Sequence, residues 1–92
     1  MTQPIGIVTG LAAESRCLAR VARRSPPPIY VLHAVGDPAA AAQSLARQGV
    51  ACLMSFGIAG GLDPALSPGR VIVATAVIDG RGGQLDCHAA WC

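Results

Sequence analysis

Val50-Ala-Cys-Leu-Met-Ser-Phe-Gly-Ile-Ala-Gly-Gly-Leu-Asp-Pro64 is the stretch that decides the fold of this chain. It begins as a short apolar run and then changes into a loop that contains Gly57, Gly60 and Gly61. An apolar run that ends in glycine is typical of a strand buried on both faces of a parallel sheet. Because ligands of open α/β sheets bind beyond the carboxyl ends of the strands, this loop is the first candidate for a small-molecule site.

The glycine pattern differs from the fingerprint of dinucleotide-binding proteins. Its order is Gly-x-x-Gly-Gly rather than G-x-G-x-x-G, and Pro64 and Pro68 leave room for one short turn instead of a long helix. Little helix dipole is therefore available to bind a pyrophosphate. Taken alone, the loop is also compatible with a tight connection that binds no ligand.

The composition indicates a chain that is built for burial. Of its 92 residues, 52% are hydrophobic and only 13% are charged. A small domain buries only about 60% of the surface that its unfolded chain exposes, so much of the surface stays in contact with water. This chain has few charged residues for that surface, and part of its apolar surface is expected to need a further partner. We expect residues 1–92 to form a single, truncated domain that is at best weakly stable alone.

The charge does not favour a nucleic-acid partner. The net charge is +2, and no basic cluster is interleaved with aromatic residues. The one basic group is interpreted as a solvated helix face, and it consists of Arg16, Arg20, Arg23 and Arg24.

The cysteines predict neither a disulfide framework nor a metal site. The four cysteines lack the spacing of metal-binding pairs, and no secretory signal precedes them. Cys87-His88 with Cys92 is a weak metal signal whose role stays open. Because no apolar stretch approaches the roughly 20 residues of a membrane span, we expect a reduced, cytoplasmic protein without a transmembrane segment.

Apolar runs alternate with capped helices along the chain. We predict strands over residues 4–9, 29–35 and 50–56 and helices over residues 11–24 and 38–48, the second helix with Asp37 as N-cap and Pro38 in its first turn. This order favours an α/β fold with a mostly parallel sheet, right-handed crossovers and flanking helices. Residues 70–78 predict a long fourth strand, which the glycines of residues 80–83 end.

Glu14 is an unusual residue for its position. It falls on the apolar side of the first predicted helix, the face that carries Leu11, Leu18, Val21 and Ala22. No arginine lies three or four residues further on, so an ordinary helix ion pair does not explain it. Two explanations stay open: stabilisation by the helix dipole, or a carboxylate that binds or activates water. His33, inside the second strand, is interpreted as a core histidine.

A longer motif resembles a known family. Ser55-Phe-Gly-Ile-Ala-Gly-Gly-Leu-Asp-Pro-Ala-Leu-Ser-Pro-Gly-Arg-Val-Ile-Val73 resembles the glycine loop and next strand of the nucleoside phosphorylases, a family that includes the methylthioadenosine/adenosylhomocysteine nucleosidases. Its first ten residues are similar to those of the hopanoid-associated phosphorylases of bacteria. The resemblance implies the N-terminal part of a phosphorylase/hydrolase-like three-layer α/β/α domain, with the acid that protonates the leaving purine beyond this chain.

The resemblance also implies a site. In the nucleosidases a glutamate at the start of the first helix positions the attacking water, and Glu14 matches that position, where the phosphorylases tend to carry an arginine. Ile58 stands where many relatives have a serine, which suits a more apolar substrate. The implied catalytic residue is Glu14, and the implied substrate-binding residues are Gly10, Gly57, Ile58, Ala59, Gly60 and Gly61.

The implied activity is cleavage of the N-glycosidic bond of an adenosine-like nucleoside. In the hopanoid version, this transferase or hydrolase reaction removes adenine from adenosylhopane. The resemblance implies no cofactor, with phosphate or water as the co-substrate, and leaves a homo-oligomer open. The alternatives are a truncated, non-catalytic fragment and a nucleotide-binding module of the Rossmann type.

Overall fold

The computed structural model describes residues 3–24 and 26–88 of the chain. The elements in chain order are β1 (Ile5–Thr9), α1 (Ala12–Arg24), β2 (Ile29–His33), α2 (Pro38–Arg47), β3 (Cys52–Phe56), β4 (Ala76–Ile78) and β5 (Gln84–Asp86). They divide into two compact units, Met1–Ala59 and Gly60–Cys92. The expectation of one truncated domain stays a prediction.

The first unit contains a parallel sheet with the strand order β2-β1-β3. Ile5 of β1 pairs with Ile29 of β2 on one side and with Cys52 of β3 on the other, and both pairings are parallel. The predicted α/β class, with parallel strands joined by helices, is confirmed. The order also places β1 at the centre, because the chain passes to one side of β1 for β2 and to the other side for β3.

The two helices lie on opposite faces of this sheet. A Cβ added to Gly6 would meet Leu45 of α2, whereas the hydroxyl of Thr9 lies 2.6 Å from that of Ser15 in α1. Side chains alternate between the faces of a strand, so these two positions of β1 point in opposite directions. Helices on both faces are the arrangement that right-handed crossovers produce when the chain reverses its direction across a sheet.

Helix α2 begins and ends where its sequence predicts. The Oδ1 atom of Asp37 accepts a hydrogen bond from Ala40 N at 3.0 Å, and Pro38 follows in the first turn. Gly49, just beyond the helix, adopts a φ of 80°, which glycine accepts more readily than other residues. The apolar side of α2 packs on the sheet through Ala41 and Leu45, and both side chains are buried.

The structure corrects the prediction of a strand buried on both faces. β3 lies at the edge of the described sheet, where Leu53, Met54 and Phe56 are 45%, 36% and 37% exposed. The reason is that α1 packs mainly against β2 rather than against β3. The apolar run thus predicts that residues 52–56 form a strand, but it does not predict whether a helix packs on each face of that strand.

The apolar face predicted for α1 is only partly correct. Leu18 and Ala22 are half-buried, whereas Leu11 and Val21 are exposed. Among the described residues of the helix, Glu14 is the buried one. No helix in residues 3–24 and 26–88 has both the length and the apolar character that crossing a membrane requires.

The second unit contains an antiparallel hairpin of β4 and β5. Ala76 pairs with Asp86 and Ile78 with Gln84, so the glycines predicted to end the strand form the hairpin turn. The prediction of a strand over residues 70–78 is wrong in its extent, because only the last three residues have a strand partner in the part of the chain described. β5 was not predicted, since Gln-Leu-Asp is too short and polar to stand out.

Candidate active site

Glu14 is the centre of the candidate site. It lies in the first turn of α1, directly beyond the carboxyl end of β1, and its residue surface is only 6% exposed. Side chains of an α-helix lean towards the helix N-terminus. The carboxylate therefore reaches back over the loop that joins β1 to α1, instead of pointing into solvent.

Three backbone N–H groups bind this carboxylate. Gly10 and Leu11 donate to Oε1 at 3.0 and 2.9 Å, and Ile58 donates to Oε2 at 2.8 Å. The first two donors belong to the adjacent loop, whereas Ile58 follows the carboxyl end of β3, 44 residues further along the chain. One side chain thus joins the ends of β1 and β3.

Gly57 makes this contact possible. A Cβ at this position would lie 2.5 Å from Oε2 and 2.8 Å from Cδ of Glu14, closer than real Cβ contacts allow. A Cβ at Gly60 would meet nothing within 4 Å, and one at Gly61 would make only ordinary contacts with Leu66. Of the three glycines in the loop, the first is therefore the one that the carboxylate requires.

The hydrogen bonds favour the ionised form of Glu14. The N–H of Ile58 has the largest effect and lowers the pKa of Glu14 below its ordinary value. Burial acts in the opposite direction, and the N–H groups of Gly10 and Leu11 and the charge of His33 lower the pKa further. A carboxylate has about four acceptor positions, so three donors leave one, on Oε2, for a further donor such as water.

His33 belongs to this arrangement, although the sequence was interpreted otherwise. It is exposed at the last position of β2 rather than buried in the core, and its Nε2 lies 3.3 Å from the carbonyl oxygen of Gly10. The interpretation as a core histidine is therefore wrong. Its place at the end of a parallel strand was the available signal, because such strand ends meet at one edge of the sheet.

A cavity of about 280 Å³ opens at the same edge. Its lining includes Gly10 after β1, Gly36 and Pro38 at the start of α2, and Ser55 of β3. This is the point at which the chain turns to opposite sides of β1, where open α/β sheets bind their ligands. The lining includes Gly10 but not Glu14, so the cavity lies beside the carboxylate.

The structure brings together four of the predicted site residues. Gly10 and Ile58 donate to Glu14 at the carboxyl edge of the sheet, and Gly57 leaves room for its carboxylate. The N–H groups of Gly10 and Ile58 are engaged by the carboxylate. Ala59 follows in the same unit, whereas Gly60 and Gly61 belong to the second unit. The substrate-binding role of these residues stays a prediction.

The metal signal near the end of the chain involves Cys87 and His88, while Cys92 lies outside the described residues. Residues 3–24 and 26–88 contain no group of three or more His, Cys, Asp or Glu side chains that could hold a metal ion. The cysteines described in this part of the chain are all free thiols, namely Cys17, Cys52 and Cys87.

A parallel α/β sheet with a buried carboxylate and a glycine loop at its carboxyl edge defines a class of small-molecule enzymes and binding proteins. The sequence model of the phosphorylase superfamily matches residues 7–89, so the chain belongs to the phosphorylase superfamily. Membership supports cleavage of nucleoside glycosidic bonds as the general activity. No curated protein and no solved structure matches the chain.

Proposed function

We propose that this protein cleaves the N-glycosidic bond of an adenosine-like nucleoside with water as the attacking group. The observation that carries the proposal is the ionised carboxylate of Glu14, held by three N–H groups beside the glycine loop. The negative charge of this carboxylate repels phosphate, whereas its oxygen atoms accept hydrogen bonds from water. It therefore favours hydrolysis over phosphorolysis.

The chemistry follows from the charge that develops on the sugar. As the bond between the anomeric carbon and the base nitrogen breaks, the electron pair leaves with the base and the sugar becomes oxocarbenium-like. The charge of Glu14 stabilises this cation, and Oε2 orients a water molecule towards the anomeric carbon. The water oxygen forms the new bond, and its proton passes to the carboxylate of Glu14 and from there to solvent. The leaving base takes up one proton from a general acid, which solvent protonates again, so the net reaction consumes one water molecule for each glycosidic bond.

The weak basicity of a carboxylate limits the part that Glu14 plays. A carboxylate with a low pKa is a weak base towards free water, so it does not deprotonate water in advance. Water that attacks a cation becomes strongly acidic as the new bond forms. Orientation and charge are thus the main contributions of Glu14, and the proton is transferred late.

We further propose adenosylhopane as the substrate, with removal of adenine in hopanoid biosynthesis. This step rests on the resemblance of residues 55–64 to the hopanoid-associated phosphorylases and on Ile58. The Ile58 side chain is 85% exposed and has no hydrogen-bonding group, which suits a substrate with a large apolar substituent.

Chromatography for free base tests the proposal. The natural gene product is incubated with adenosine, methylthioadenosine or adenosylhopane, with and without phosphate. We expect adenine to be released, fastest from adenosylhopane, at a rate that phosphate does not raise. A rate that depends on phosphate would show that the reaction is phosphorolysis.

Glu14→Gln tests the role of the carboxylate. We expect base release to fall by about 10²–10⁴-fold, because the amide removes both the charge that stabilises the cation and the late acceptor of the water proton. The amide nitrogen of glutamine cannot accept a hydrogen bond, so at least one backbone N–H group loses its acceptor and the variant is expected to be less stable. Rates are therefore compared well below the melting temperature of the variant. Asp79→Asn is the matched control, because Asp79 also accepts backbone N–H groups but belongs to the hairpin. If Glu14→Gln releases base at the parent rate, the carboxylate is structural only.

A further inference from the structure

Residues at the end of β2 and directly after it contact two of the three peptide groups that donate to Glu14. The peptide between Thr9 and Gly10 donates its N–H to Oε1 of Glu14, and its carbonyl accepts from Ala34 N at 2.8 Å. The next peptide, between Gly10 and Leu11, donates to the same oxygen, and its carbonyl oxygen lies 3.3 Å from Nε2 of His33. Each peptide is thus contacted on one side by His33 or Ala34 and bound on the other side by Glu14.

The chemistry of the second contact has one direction. A carbonyl oxygen only accepts hydrogen bonds, so Nε2 of His33 carries the hydrogen and donates it. A peptide whose carbonyl accepts a hydrogen bond becomes more polarised, and its N–H becomes a stronger donor. The ring of His33 therefore strengthens the bond from Leu11 to the carboxylate, although it acts through an intervening peptide.

We propose that His33 is a positioning residue for Glu14, which fixes the Gly10–Leu11 peptide so that the carboxylate keeps its orientation towards Ile58. Of the two contacts to these peptides, the one from His33 is made by a side chain and can be removed by substitution, whereas the one from Ala34 is made by its backbone. The effect on catalysis rests on the proposed function, but the effect on the peptide does not.

Nuclear magnetic resonance on the full chain labelled with ¹⁵N reads the peptide directly. In His33→Leu the carbonyl of Gly10 loses its side-chain donor, and we expect the amide proton of Leu11 to move upfield. Glutamine carries an amide N–H at nearly the distance of Nε2, so His33→Gln should restore the resonance towards its parent position. Val35→Ala is the matched control, since Val35 lies two residues further on and is exposed.

Base release should follow the same order. We expect the kcat of His33→Leu to fall roughly 2-fold to 10-fold, the range for one net hydrogen bond, with little change in KM. His33→Gln should recover most of the rate, and Val35→Ala should equal the parent. A purely structural role would lower the melting temperature without this recovery by glutamine.

Two results would overturn the proposal. One is an unchanged Leu11 amide resonance and an unchanged kcat in His33→Leu. The other is a glutamine variant that matches the leucine variant in both measurements. The proposed function fails separately, because it requires a rate loss in Glu14→Gln, whereas the Leu11 resonance responds to His33 whatever reaction the protein catalyses.

Discussion

Two carboxylates, one in each unit, are held in the same manner but over different distances along the chain. Glu14 accepts N–H groups from Gly10, Leu11 and Ile58, and Asp79 accepts them from Arg81 and Gly83. In both cases the bonds lower the pKa of the carboxyl group, with Ile58 and Gly83 as the largest causes. The donors of Asp79 lie within four residues, whereas Ile58 lies 44 residues from Glu14.

Glycine has a matching part in both regions. A Cβ at Gly57 would collide with the carboxylate of Glu14, and a Cβ at Gly83 would collide with that of Asp79. In the hairpin this contact only closes a tight turn. At the sheet edge the same chemistry joins two strands that are distant in sequence. The difference shows that one type of interaction shapes a local turn in one place and assembles a site in another.

Among the glycine variants, the largest effect should come from Gly57→Ala. The new Cβ forces the carboxylate away, so Glu14 gives up the bond to Ile58 and loses its orientation. A misplacement of about 1 Å in an active site costs about 10²-fold in rate, and we expect base release to fall by that amount. Gly80→Ala, in the hairpin turn, is the matched control, because a Cβ there meets nothing within 4 Å and its φ is not positive. Equal rates for the two variants would remove Gly57 from the site.

Acid should weaken both regions. The pKa values of Glu14 and Asp79 are lower in the folded protein than their ordinary values of 4.5 and 3.8. Each ionised carboxylate therefore stabilises the fold fully at pH values above its ordinary pKa. That contribution is lost as the pH falls through the folded-state pKa. Thermal unfolding between pH 7 and pH 3 should show a falling melting temperature, with a shallower fall in Glu14→Gln and in Asp79→Asn. A variant whose slope equals that of the parent would contradict the assignment for its carboxylate.

The smallest effect on activity should come from Gly83→Ala. The added Cβ displaces the Asp79 carboxylate, and the hairpin turn loses side-chain bonds that are exposed to solvent. We expect a lower melting temperature, corresponding to about 1 kcal/mol of overpacking, and a rate of base release equal to that of the parent. A rate loss comparable to that of Gly57→Ala would show that the hairpin also supports catalysis.

Local patterns made most of the first unit predictable. Apolar runs and the Asp37–Pro38 helix start predicted three strands and two helices close to their observed bounds, and the parallel pairing followed from the connections. Glu14 was identified because a carboxylate on the apolar face of a helix needs a partner. Each of these inferences depends on residues that are close together in sequence.

The remaining features depend on contacts that sequence spacing does not contain. The bond from Ile58 to Glu14 and the contact of His33 with Gly10 arise only when strands meet at one edge. The exposure of β3 reflects where α1 packs rather than the apolar run itself. The short β4 has the same origin, because an extended apolar segment becomes a strand only where a partner supplies hydrogen bonds.

The central position of β1 also bears on the order in which the protein folds. β1 and β2 are separated by one helix, whereas β1 and β3 are separated by two helices and a strand. Closing a longer loop costs more entropy, so the pairing with β3 is expected to follow the pairing with β2. The bond from Ile58 to Glu14 requires β3 to be in place. In a chain that stalls after its first pairing, the carboxylate of Glu14 therefore has two of its three N–H donors, and the third is added only when β3 pairs with β1.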